Sequence, residues 1–306
     1  MAGSSLFALL DDIATLLDDI SLMSKVAAKK TASVLSDDLA VNAEQVTGMK
    51  ADRELPVVWA VFKGSLKNKA ILVPLALILN ALLPAAVQWL LMAGGAYLCY
   101  EGFEAIKDKL FSSDAEKTVG AKQEKAKTPE EIAAFEKRKI SGAVRTDFIL
   151  SAEIIVITLN IVAEAPMVQQ ILTLITIAVV MTVGVYGIVA GIVRMDDVGL
   201  VLSKRPAGGV FTNLVKWFGG FLVTLAPKLM WGLSWIGTVA MFLVGGSFVV
   251  EGIPYLEHLM EQIVGNLGAW KKVAEMLLEG MVGACLGGLV VGVVSAGRGM
   301  MSRKNR

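Results

Sequence analysis

The chain has 306 residues, of which 55% are hydrophobic and only 19% charged, with a mean hydropathy of +0.64 and a net charge of +1. That balance excludes an ordinary soluble globular domain and fits a multi-spanning membrane protein. Lysines and arginines gather between apolar blocks, which leaves no footprint of nucleic-acid binding, and the two cysteines, Cys99 and Cys285, sit in apolar segments with no metal or disulfide spacing.

The N-terminus, MAGSSLFALLDD, has no basic start, and acids interrupt its apolar run, so it is not read as a cleaved export signal. Ser4 and Ser5 are candidate caps for a helix whose Leu6, Leu9, Leu10, Ile13, Leu16, Leu17 and Ile20 form one apolar stripe. Asp11, Asp12, Thr15, Asp18 and Asp19 occupy the other face. The helix is amphipathic: either a surface helix docked by its leucines, or one whose acidic edge attracts cations to a vestibule. From Ser21 to Lys69 the composition is mixed, and short helices packed at the membrane surface are expected. The apolar stretch over 71–100 would be about 45 Å long as one helix, against a bilayer core of about 30 Å. Pro74, Asn80 and Pro84 interrupt it, predicting either a tilted, kinked helix or a pair of half-helices.

Residues 104–147 are polar and dense in Lys and Arg. They predict a helical loop on the cytoplasmic side, with Thr128 as cap and Pro129 in the first helical position. Two spans, 148–165 and 168–193, then form a hairpin, the second with Gly187 and Gly191 in small-xxx-small spacing. A polar turn holds Asp196, Asp197, Lys204 and Arg205, and another apolar block, 217–250, is interrupted by Pro227 and Lys228. The last span, 276–297, presents Gly280, Ala284, Gly288, Gly292 and Ala296 at i+4 intervals, a face for close packing within the chain or against a second copy. Counting the two long blocks as single or paired helices gives roughly five or seven crossings.

The chain also aligns with itself. LVPLALIL (72–79) lies over LVTLAPKL (222–229), GAYLCYEG (95–102) over GGSFVVEG (245–252), and the acidic helix 7–20 over 148–161, pairing Asp12 with Glu153 and Asp19 with Asn160. Asp37-Asp38 likewise matches Asp196-Asp197. The expected organisation is a first repeat unit over 1–103, the charged loop over 104–147, a second unit over 148–252, and a C-terminal piece over 253–306 with the glycine-rich span and a basic tail. The fold class is all-α and polytopic, with two related units and short amphipathic N-terminal helices.

Glu153, Asn160 and Glu164 fall within about 40° of one another on a helix, making a polar stripe in an otherwise apolar segment. A carboxylate in a membrane core needs a partner or a task. The candidate ion- or substrate-binding residues are Asp12, Asp19, Glu153, Asn160 and Glu164, supported by Thr15, Arg145, Asp147 and Thr158. Asp147, Ser151 and Thr158 share a second stripe. No cofactor and no metal is expected. The sole histidine, His258, stands in EGIPYLEHLMEQ with no Cys or His nearby, and no phosphate-binding glycine loop is present, so the chain does not read as an enzyme.

The segments MAGSSLFALLDDIATLLDDI, KTASVLSDDLAVNAEQVTG, RELPVVWAVFKGSLKNKAILVPLAL and GAVRTDFILSAEI resemble the YedI-type bacterial inner-membrane proteins, a domain-of-unknown-function family, along essentially the whole chain. The resemblance implies a multi-pass protein of the bacterial inner membrane and brings no substrate, cofactor or catalytic residue. The functional expectation is a secondary transporter or channel for a small cation, proton or small polar solute, using intramembrane carboxylates. The alternative is a non-transporting scaffold that oligomerises through its glycine-rich helix.

Overall fold

The computed structural model describes residues 2–46, 51–111, 129–204, 209–265 and 267–304. Its helices are α1 (Ala2–Lys30), α2 (Ala32–Val46), α3 (Ala51–Leu82), α4 (Pro84–Phe111), α5 (Pro129–Ile161), α6 (Met167–Val193), α7 (Met195–Ser203), α8 (Gly209–Gly252), α9 (Pro254–Val264) and α10 (Lys271–Lys304), with a 3-10 turn at Gly268–Trp270. No strand occurs among the described residues, so the all-α expectation holds. Proline sets several helix starts, as expected where a missing N–H costs nothing: Pro84 opens α4, Pro129 opens α5 and Pro254 opens α9.

Among the described residues, four helical segments are long and apolar enough to cross a membrane: Arg53–Leu82, Met167–Ser203, Asn213–Gly252 and Lys271–Ser295. The molecule is a membrane protein, but this count is below the five or seven crossings expected. The block 217–250 forms one helix rather than two, and two further segments fall short of a span. The apolar run of α4 is diluted by Gln88, Gly94, Gly95, Tyr97 and Tyr100, and α5 carries Arg145, Asp147 and Glu153 within its apolar half.

Helix α5 is apolar because protein covers it. Leu150, Ile154, Ile155 and Leu159 are buried, against α2, α3 and α6. It runs parallel to α3 at a constant offset, since Ser65 meets Asp147 and Lys69 meets Ser151. Helix α6 runs antiparallel to both: Val57, Val58 and Val61 pack with Val185, Tyr186 and Val189, while Leu72, Val73 and Ala76 pack with Leu174 and Ala178. The other half of the molecule is held by backbone approach. Gly95 of α4 faces Gly245 of α8, where a Cβ on Gly95 would stand 2.7 Å from the Gly245 carbonyl oxygen.

Several expectations are corrected. α1 begins before Ser4 and Ser5, which lie inside it, and Ile13 and Leu17 of its apolar stripe are exposed. The segment 21–69 does not form short surface helices. α2 is a core element, with Val34, Ala40, Val41 and Ala43 buried, and α3 is one helix through Lys69. The stretch 71–100 takes the paired form of its two expected alternatives, broken at Leu83, but its helices are long, each extending well beyond the apolar run. No break falls at 147, because α5 is continuous from Pro129, and 217–250 is part of a single helix containing Pro227. Residues 112–128 of the charged loop, and Arg205, lie outside the described residues.

The packing does not display the internal repeat. α2 and α7, which carry the matched acidic pairs, both pack on α8, and no comparable packing joins α7 to α3 or α4 among the described residues. Of the α10 glycines, those that come closest to another backbone are Gly283, at the Phe242 carbonyl of α8, and Gly287, at the Cys99 carbonyl of α4, one register off the anticipated ladder. Gly280 and Gly288 also meet side chains, Leu243 and Phe103, while a Cβ at Gly292 would meet open space.

Candidate functional site

Helices α2, α3, α5 and α6 converge on a buried polar cluster. The Lys69 side chain on α3 is 3% exposed, Asp147 on α5 is 0% exposed, and Asp38 on α2 is 2% exposed, so three chargeable groups are removed from water together. Burial on this scale costs several kcal/mol per ion unless the groups compensate one another.

Compensation is extensive around Asp147. Ser65 donates to its Oδ1 at 2.8 Å, Tyr186 stands 3.0 Å from the same oxygen, and Asn68 donates to Oδ2 at 3.0 Å and to the Val144 carbonyl at 2.7 Å. The Lys69 ammonium lies 3.6 Å from Oδ1 and donates to Ser65 Oγ at 2.9 Å and Ser151 Oγ at 2.7 Å. Beyond Tyr186 the line continues: its hydroxyl is 2.8 Å from Asn42 Oδ1, and Asn42 Nδ2 is 2.6 Å from Asp38 Oδ1 and 2.8 Å from the Asp38 carbonyl. The i, i+4 pairs Asp38/Asn42 and Ser65/Lys69 put these groups on the inward faces of α2 and α3.

Asp38 lies on α2, outside the four membrane-length helices. Burial foremost, then the neighbouring Asp147 carboxylate, raise its carboxyl from the usual range to about 7, against the opposing pull of Lys69 and the Asn42 hydrogen bond. Next to the cluster, Glu101 accepts from Thr146 Oγ1 at 2.6 Å and from Gln45 Nε2 at 3.3 Å, and Glu44 accepts from Thr238 Oγ1 at 2.9 Å.

Of the residues proposed from sequence, only Asp147 lies in this cluster. Asp12, Thr15, Asn160 and Glu164 are exposed, and Asp19 accepts from Gln169 at 3.0 Å. Glu153 is half-buried, the charges nearest it are Asp37, Glu251 and Asp38, and its Oε2 has no hydrogen-bond partner among the described residues. The structure therefore does not bring Asp12, Asp19, Asn160 and Glu164 to Glu153. Arg145 is exposed and packs over the Tyr97 ring, and Thr158 donates to the Ile154 carbonyl of its own helix. Asp38, Asn42, Ser65, Lys69 and Tyr186 were not singled out as site residues. Their signal is polar side chains at i+4 inside an apolar stripe, as in Val61, Ser65, Lys69, Leu72 and Ala76.

Fold and site define an all-helical membrane protein with a buried charged cluster at a four-helix junction. A family described as "Protein of unknown function (DUF808)" matches residues 4–297, and the chain belongs to that family. No curated protein and no solved structure matches it.

Proposed function

We propose that this protein is a secondary transporter of the bacterial inner membrane, with no enzymatic activity, that moves a small cation, a proton or a small polar solute and couples movement to the Asp38–Asp147–Lys69 cluster. The carrying observation is the charge count in the core. Two carboxylates share one ammonium, with none of the three side chains more than 3% exposed. A purely structural pair would need one partner each, and the surplus carboxylate is the kind of group that takes up and releases a cation as helices shift. Its position at the junction of four helices, two parallel and one antiparallel beside the short α2, would make its protonation state felt by all of them.

A second reading, a non-transporting scaffold, is favoured by one observation: both oxygens of Asp147 are hydrogen-bonded, as in a cluster that fixes helix register. Proteoliposomes separate the two. Purified protein should carry protons or alkali cations down an imposed gradient faster than empty liposomes, and Asp147→Asn should abolish the excess. No excess flux of proton, Na⁺ or K⁺ in either direction leaves the scaffold reading.

A further inference from the structure

We infer that Asp38 and Asp147 bind a single proton between them, held in the hydrogen-bonded line through Asn42 and Tyr186, so that the ion this site handles is the proton; this rests on the transport reading above. The line has three close links, Asp38 to Asn42 at 2.6 Å, Asn42 to Tyr186 at 2.8 Å and Tyr186 to Asp147 at 3.0 Å. Each link needs one hydrogen between its two electronegative atoms. With both acids ionised, the chain supplies only two: the Asn42 amide donates on one side only, and the Tyr186 hydroxyl has a single hydrogen. If the Asn42 amide nitrogen faces Asp38, Tyr186 must serve both Asn42 and Asp147. If the amide is turned the other way, its oxygen meets both the Asp38 carboxylate and the Asp38 backbone carbonyl, 2.8 Å from the amide nitrogen in the first orientation, with no hydrogen in either contact. The first orientation leaves one link empty, and one added proton fills it. The hydrogen count therefore seats the proton on Asp147, facing the Tyr186 hydroxyl, and the rest of the line carries its polarity to Asp38.

The charge count, which is independent of the hydrogen-bond count, gives the same number. Two carboxylates against Lys69 leave one negative charge uncompensated in the core, and one proton cancels it. A metal ion fits poorly. The Asp147 oxygens already receive Ser65, Tyr186, Asn68 and the Lys69 ammonium, which stands where a second cation would have to enter. The other titratable groups around the pair are acidic or remote. Asp37 is beside Asp38 on α2, Glu101 of α4 reaches Thr146, Glu153 lies one face round on α5, and Glu251 of α8 lies toward Glu153, while Arg145 is exposed against Tyr97. None of them supplies a second buried cation.

The test is infrared difference spectroscopy of the full chain in lipid nanodiscs at neutral pH. Wild type minus Asp147→Asn, and wild type minus Asp38→Asn, should each show loss of a carboxylic-acid C=O band that shifts in D2O. In either variant the new amide supplies the missing hydrogen, and Lys69 balances the remaining carboxylate. The control Asp12→Asn should leave the band. No lost band in either difference spectrum overturns the proposal, and so does a band that persists in one of them, since the proton would then not depend on both acids. If the Asn variants do not fold, Tyr186→Phe decides: it keeps both acids but opens the line, so the band should stay and change frequency, and an unchanged frequency overturns the sharing. Flux is read separately. A band without flux removes transport and leaves the shared proton, and flux without a band does the reverse.

Discussion

Replacing Lys69 with methionine should unfold this protein at a much lower temperature, and the structure gives the size of the effect. The ammonium lies 3.6 Å from Asp147 and donates to Ser65 and Ser151, with only 3% of the side chain exposed. Removing one partner of a buried charge pair costs about 3–5 kcal/mol, because the other charge is left uncompensated. At roughly 2–4 °C per kcal/mol for chains somewhat shorter than this one, the apparent Tm should fall by about 6–20 °C. The molecule contains its own reporter. Cys99 is 0% exposed while Cys285 is exposed, so in a Cys285→Ser background a thiol-reactive dye reads only unfolding around Cys99. Adding Asp147→Asn to Lys69→Met should restore most of the loss, since the core then holds one carboxyl group that one proton neutralises. A Lys69→Met protein melting within about 2 °C of wild type, or a double variant no better than the single, would refute the pairing that the site is built on.

Other measurements follow from the same geometry. Because the Asp38 carboxyl is raised to about 7, the folded state keeps a proton that the unfolded chain releases near pH 4. The native protein thus binds more protons between those values, and stability should fall as pH rises from about 4 to about 7 and level off above, by on the order of a few kcal/mol; an Asp38→Asn Tm profile that kept the same slope would contradict this. Gly246→Ala should be strongly destabilising, because its Cβ would meet the Glu279 carbonyl of α10, whereas Gly187→Ala, with open space around it, should shift the Tm little. The reverse order would mean that α8 and α10 are packed differently. Ser151→Ala removes an acceptor of the Lys69 ammonium and should cost about 1–3 kcal/mol. Thr158→Ser keeps the hydroxyl that donates to the Ile154 carbonyl but removes a fully buried methyl, so it should cost about 0.5–1.5 kcal/mol in the same thermal assay.

What the sequence made legible was the class of the fold; the identity of the covered surface it did not. An apolar run reads the same whether lipid or protein lies against it. FILSAEIIVITLNI reads as a lipid-facing run because it is apolar, yet Leu150, Ile154 and Ile155 face other helices. Lys69 was lost for the opposite reason. SLKNKA looks like a hydrophilic boundary, and only helical register separates the exposed Lys63 and Lys67 from the buried Lys69. Tyr186 was hidden as one polar group in a helix otherwise packed by Val185 and Val189, where a hydroxyl's need for a partner is the whole signal. The acidic stripe of α1 misled in turn: amphipathicity marks a helix at a boundary, and Asp11, Asp12 and Asp18 are simply on its wet side.

Register also locates the cluster along the membrane normal. On α3 the exposed residues before Lys69 include Arg53, Trp59, Lys63 and Lys67, and those after it include Ile71, Leu75, Ile78 and Leu82. Lys69 therefore lies near the point where the outer surface of α3 changes from charged to apolar. Since α5 runs parallel to α3, its exposed Lys137 and Arg138 come to the same side as Lys63 and Lys67, which makes one end of this helix group strongly basic. A proton on the Asp38–Asp147 pair would then be only a turn or two of helix from that end. From the opposite end it would have to pass the wall formed by Leu72, Ala76, Ile155, Leu159 and Leu174. The barrier to any movement through this protein thus lies in that apolar layer, and opening it requires α3, α5 and α6 to separate at the end away from the charges that hold them together.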